Sequence, residues 1–187
     1  MINHPFLAHE AGLGCKSSLI NVYIGNVPAM TEYQSLTDIT PVIPGEIHAI
    51  GQALGNGWRK VFNVYAKLIF ALDDKQFDFR QQADSWQQWR DNYLLQTDSN
   101  TSLRFSPPQL DSPSHQRAFH IIMGRTYAKQ LVAEGLLNAP LNWLNEEFAI
   151  NEEHHLVVCP YFDYRQLSNV KIVTLVNLIK DFEKTPE

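Results

Sequence analysis

Cysteine is scarce in this chain. Cys15 and Cys159 lie far apart with no paired spacing, which excludes a disulfide framework and a thiolate zinc site and fits a reducing compartment. Long apolar runs are also missing: "LVVC" and "LIFAL" fall far short of the roughly 20 residues that a membrane helix needs. The opening "MINHPFLAHEAGLGCK" has no basic start followed by a long apolar core, so no targeting segment is expected. The chain therefore reads as a soluble, cytoplasmic protein with no membrane partner. Excess positive charge is lacking as well. With 15 Lys and Arg against 20 Asp and Glu, the formal net charge is -5, which argues against a protein that coats nucleic acid nonspecifically and leaves a local groove open. Between Arg104 and Lys129 the chain carries Arg104, Arg117, Arg125 and Lys129 against Asp111 alone, and scattered surface charge is the simplest reading of that stretch. His4 and His9 in "HPFLAHE" are five apart and miss the i, i+4 geometry of a helical metal pair, so neither a metal nor a cofactor is expected.

What is present is core material. At 187 residues and 44% hydrophobic, with no internal repeat, the chain is expected to form one α/β domain over residues 1–187. "LINVYIG" is a short apolar run rich in β-branched and aromatic residues, ended by Gly25 and Pro28, and predicts a buried strand over Ile20–Ile24. "WRKVFNVYAKLIFAL" places Trp58, Val61, Phe62, Tyr65, Leu68, Ile69 and Leu72 at helical spacing. "ADSWQQWRD" predicts a second helix with Trp86 and Trp89 in the core, and "YLLQ" a short strand over Tyr93–Leu95.

A long loop follows from Thr97 to Arg117, containing "SPS" before His115. "AFHIIMG" predicts a strand over Phe119–Met123, "RTYAKQLVAEG" a helix closed by Gly135, and "HLVVC" a strand over Leu156–Val158. Ser168 or Asn169 can cap a last helix whose Ile172, Leu175, Val176, Ile179 and Phe182 share one face. Strands that are apolar throughout and alternate with helices imply a central, mostly parallel sheet in a three-layer α/β/α arrangement. Such sheets bind ligands beyond the carboxyl ends of their strands. Four loops are expected to converge there: "GNVP" with Asn26, "QTDSN" with Gln96 and Asp98, "GRTYA" with Arg125, and "CPYFDYR" with Cys159, Tyr161, Asp163 and Arg165.

In order and rough spacing, "VYIGNVPA", "SWQQWRDNYLLQT", "FHIIMGRTYA" and "HHLVVCPYFDYR" resemble the motifs of the uracil-DNA glycosylase superfamily, over about Ile20 to Asn169. That family runs a strand into Gly-Gln-Asp-Pro-Tyr, a tryptophan-bearing helix into Leu-Leu-Asn, an apolar strand into Trp-Gly with a helix starting near Tyr-Ala, and a strand into His-Pro-Ser-Pro. The resemblance implies a glycosylase-like fold and a site that takes a nucleobase. It also implies lost chemistry. The aspartate that positions the attacking water matches Val27, which has no carboxylate. The asparagine that reads the base matches Gln96, an amide one methylene longer. The histidine that stabilises the departing base matches Cys159, a weak donor. Removing one oxyanion donor alone costs about 3 to 4 kcal/mol in other enzymes.

A relocated carboxylate is a second reading, with Asp163 or Asp98 as catalytic base. Against it, an aspartate in "FDYR" serves equally as a cap or as the partner of Arg165. Phe162 is expected in the core, while Tyr161 or Tyr164 could stack on a base. Gly124 with Arg125 and Thr126 forms either an anion-attracting helix start or a plain turn. Three functions stay open: a binding module for a nucleobase, nucleotide or single-stranded nucleic acid without uracil excision; a glycosidic hydrolase with a relocated base; or an unrelated α/β nucleotide-binding protein.

Overall fold

The computed structural model describes residues 9–72, 77–80, 83–113 and 117–184; His4, Ser114 and His115 lie outside the described residues. In chain order the strands are β1 (Gly12–Gly14), β2 (Ile20–Tyr23), β3 (Ile39–Thr40), β4 (Thr101–Arg104), β5 (Phe119–Met123), β6 (Asn142–Trp143), β7 (Ala149–Asn151) and β8 (Leu156–Cys159). The helices are α1 (Thr31–Gln34), α2 (Glu46–Leu54), α3 (Asn56–Ala71), α4 (Trp86–Asn92), α5 (Arg125–Ala133) and α6 (Asn169–Phe182). All eight strands form one mixed sheet in the order β3-β1-β4-β2-β5-β8-β7-β6. The centre β4-β2-β5-β8 is parallel throughout, and β1 and β7 flank it as antiparallel neighbours.

Side chains alternate across the strands, so neighbouring residues enter opposite clusters. Val22, Ile121 and Val157 pack with Val61, Phe62, Tyr65, Leu68 and Ile69 of α3 and with Leu175 and Ile179 of α6. Tyr23, Ile122 and Val158 pack instead with Ala128 and Leu131 of α5. The apolar stripe read from the sequence of α3 is the face buried here, each large side chain stabilising by roughly 1.5–3 kcal/mol. Gly135 ends α5 at φ +68, a left-handed geometry that suits glycine, with Leu136 N–H bonded to the Leu131 carbonyl.

One strand expectation is corrected. Tyr93–Leu95 form no strand; they are the turn that leaves α4, with Leu95 at φ +60 and its N–H held by Thr101 Oγ1. The strand beside β2 is Thr101–Arg104, inside the stretch read as a long loop. Its polarity concealed it. Asn21 Oδ1 accepts from Ser18 Oγ, Ser102 Oγ and Arg104 Nε, and the fully buried Arg104 guanidinium also meets Glu10 and the Lys16 carbonyl. A buried polar group costs little only when paired, and these are paired. Arg104 thus leaves the surface, and the basic stretch that it opened is not one exposed patch. The neighbouring crossover from β4 to β5 has no α-helix among its described residues, and it carries Leu110 onto the second cluster.

Candidate functional site

Among the parallel strands the first in sequence, β2, lies inside: the chain goes next to β4 on one side, then to β5 and β8 on the other. This reversal lies between the carboxyl ends of β2 and β5, the place where such sheets take ligands. Three of the four expected loops meet here.

From β2 comes Gly25-Asn26-Val27. Gly25 is required because a Cβ there would stand 2.9 Å from the Tyr127 ring, which the start of α5 presses against this turn. From β5 comes Gly124, at φ +100, ahead of Arg125, the first residue of α5. From β8 comes Pro160-Tyr161, and the Tyr161 ring lies across Gly124, 3.9 Å from where a Cβ would be. Its hydroxyl accepts from Asn26 Nδ2 at 3.2 Å, and the Asn26 Oδ1 lies 3.4 Å away as the return acceptor. Burial raises the Tyr161 phenol above its usual range, against the Asn26 hydrogen bond that lowers it, so the ring stays neutral at physiological pH. This edge thus carries a half-buried aromatic ring tied to an amide that presents both a donor and an acceptor.

Beyond Tyr161 the chain turns sharply. Phe162 is fully buried against Tyr65, at 5.8 Å between ring centroids. Asp163 Oδ2 accepts from Lys60 of α3 at 2.9 Å, and Oδ1 accepts from the Arg165 N–H at 2.9 Å. The Lys60 hydrogen bond first, and the Arg165 N–H second, hold this carboxyl below its ordinary range. It is ionised and engaged in fixing the loop, which makes it a weak proton acceptor near neutrality. Tyr164 is 52% exposed and lies between Lys60 and Arg165, with the cations 4.9 and 5.8 Å from its ring centroid. Arg125 stands at the rim, donating from Nη1 to the Glu146 carbonyl at 3.1 Å.

Cys159 is fully buried at the end of β8, its thiol donating to the Pro160 carbonyl at 3.4 Å, and burial pushes its pKa far up. Val27 is partly buried against the apolar core. Neither supplies an ion or a strong donor to this edge.

Gln96 and Asp98 lie elsewhere. The turn that holds them enters β4 beside the start of β2, since Thr101 pairs with Ile20, and the Gln96 carbonyl accepts from Cys15 Sγ at 3.4 Å. This is the amino edge of the parallel strands, opposite Tyr161. The Gln96 amide donates to the Asp91 carbonyl at 3.0 Å and lines a separate small cavity with His48 and Ile47. Placing "QTDSN" at the carboxyl edge followed from ending a strand at Leu95, so the strand correction carries the site with it. Sequence reading also passed over Lys60, an ordinary lysine on an amphipathic helix with no local signal of its partner 103 residues away. Among the described residues no cluster of three or more His, Cys, Asp or Glu could hold a metal ion, and no helix is long and apolar enough to cross a membrane.

Fold and site together define an α/β protein built on a mixed, largely parallel sheet with a polar and aromatic carboxyl edge. The chain belongs to DUF6942, a family of unknown function whose model matches residues 11–180. No curated protein and no solved structure matches it.

Proposed function

We propose that this chain is a divergent relative of the uracil-DNA glycosylases, three-layered in architecture, that binds a nucleobase, nucleotide or single-stranded nucleic acid at the carboxyl edge of its sheet without excising uracil. The observation that carries the reading is the Tyr161 ring lying across Gly124 and bonded to Asn26 at the strand-order reversal. A neutral aromatic wall offers a planar ligand a stacking surface worth about 1–3 kcal/mol. The Asn26 amide can match a donor and acceptor pair on a base edge. Arg125 at the start of α5 and Arg165 beyond Tyr164 are suited to phosphate oxygens.

The absent chemistry supports binding over hydrolysis. Val27 brings no carboxylate to a water, the Cys159 thiol is buried with its proton engaged, and Asp163 is committed to Lys60 and the Arg165 N–H. Base excision needs charge stabilisation on both the sugar and the leaving base, and neither side is provided by these residues. Hydrolysis with Asp98 as base is disfavoured by its place at the amino edge.

The test has two arms. Purified protein incubated with uracil-containing single- and double-stranded DNA should release no uracil above a Tyr161→Ala control. A labelled single strand titrated at low and moderate salt should bind the wild type more tightly than Tyr161→Ala or Arg165→Ala. Uracil release by the wild type, or equal affinity of all three proteins, would remove the reading.

A further inference from the structure

Cations and aromatic rings are paired unevenly over this molecule. Five cation–ring pairs follow one line along α3: Lys60 and Arg165 on Tyr164, Lys67 and Arg90 on Trp86, and Arg80 on Phe70. Lys60 and Lys67 are seven residues apart, two helical turns, so they share the outer face of α3. Asn63, between them, accepts a hydrogen bond from Arg90 and draws that guanidinium to the same face. From Lys60 to Phe70 the line covers about 15 Å. It begins at the carboxyl-edge loop through the Lys60–Asp163 bridge. It ends in a groove of about 360 Å³ lined by Lys67, Phe70, Arg80, Trp86 and the first turn of α6. Ser168 makes no side-chain cap there, so the positive end of the α6 dipole adds to the field. Asp163 and Asp91 also border the line, each already bridged to one of its cations.

We infer that this stripe is the path of a single nucleic-acid strand that leaves the carboxyl edge of the sheet and runs down the outer face of α3 into the groove beside α6. The inference rests on the proposed binding at that edge for the position of the strand's end. Cations interleaved with rings at intervals along a groove are what a flexible polyanion with planar bases needs. A basic stripe on a chain of net charge -5 is a local feature that the whole-chain charge conceals. On binding, the cations turn from the rings to phosphates and the rings stack on bases, an exchange that favours the strand because stacking on a base exceeds an exposed cation–π contact. An acidic peptide would use the cations and leave Trp86, Phe70 and Tyr164 without planar partners, so the rings favour nucleic acid.

The experiment is fluorescence anisotropy of a labelled 12-nucleotide single strand and of a labelled mononucleotide, each at several salt concentrations. The proteins are the wild type, Tyr161→Ala, and the charge-neutral pair Lys67→Gln with Arg80→Gln, all checked for an unchanged melting transition; the charge-reversed pair Lys67→Glu with Arg80→Glu repeats the measurement. The neutral pair should bind the 12-mer at least tenfold more weakly than the wild type, with a salt slope shallower by about 1.4, two phosphates at about 0.7 each. Its affinity for the mononucleotide should be unchanged. If instead Tyr161→Ala leaves 12-mer affinity intact while the neutral pair destroys it, the stripe stands and the carboxyl-edge reading falls. A 12-mer affinity and salt slope equal in wild type and both stripe variants would overturn the inference. Displacement of the 12-mer by poly-glutamate of equal charge as readily as by unlabelled strand would overturn it too, and assign the stripe to an acidic protein.

Discussion

The Tyr161 hydroxyl and the Asn26 amide meet at 3.2 Å, tying the loop after β8 to the loop after β2 across the end of β5. Removing only the hydroxyl, in Tyr161→Phe, should cost about 0.5–1.5 kcal/mol of stability in urea denaturation. It should leave stacking on a planar ligand largely intact. Tyr161→Ala should weaken the same ligand tenfold or more, so the two variants separate the ring from the latch.

Gly25 and Tyr127 set a second prediction. A Cβ at residue 25 would lie 2.9 Å from a ring that is itself buried, so Gly25→Ala must displace Tyr127 or the turn. Thermal or urea unfolding should show a loss of about 1–3 kcal/mol, the usual cost of overpacking. The double variant with Tyr127→Leu should recover part of it, and no loss at all would mean that the turn yields freely.

The Cys159 thiol is fully buried, and its pKa is pushed far up by burial, whereas Cys15 is partly accessible. A thiol reagent at pH 8 should therefore modify one cysteine quickly in the folded protein and two only after denaturation. Fast modification of both would place Cys159 at a surface that this fold does not give it.

Asp163 gives a pH signature. Its folded pKa lies below the ordinary value of about 3.9, so its contribution is present above that value and is lost as pH falls through the folded pKa. With its side chain about one-fifth exposed, the effect is modest. Asp163→Asn should cost about 1 kcal/mol or less at pH 7, and the gap to wild type should shrink as pH is taken below about 4. A gap that widened in acid would contradict the Lys60 bridge as its cause.

Much of the frame was legible in the sequence because apolar burial writes itself into the chain. Ile20–Tyr23, Phe119–Met123 and Leu156–Cys159 are apolar or nearly so, and the stripes of α3 and α6 repeat at helical spacing. Two central features were not legible, for a shared reason. Thr101–Arg104 is buried through hydrogen bonds to Asn21, Ser18 and Glu10, partners remote in sequence, so its residues read as a polar loop. The strand β1 was not anticipated at all; its Gly12 and Gly14 are glycines because a Cβ would fall 2.3 and 2.2 Å from carbonyl oxygens of β4, a strand remote in sequence. The site followed the same division. Asn26, Tyr161 and Arg125 follow strands that were recognised, and Gln96 was assigned to the wrong edge because its strand was not.

The central claim is that the carboxyl edge at Tyr161 and Asn26 receives a planar, phosphate-bearing ligand. Its most direct measurement is a titration of isotope-labelled protein with a nucleoside monophosphate at low salt, following backbone amide shifts in wild type and Tyr161→Ala. The account predicts saturable shifts at Asn26, Gly124 and Tyr161 that weaken tenfold or more in the variant. Saturable shifts confined to other residues, equal shifts in both proteins, or none at millimolar ligand would contradict it.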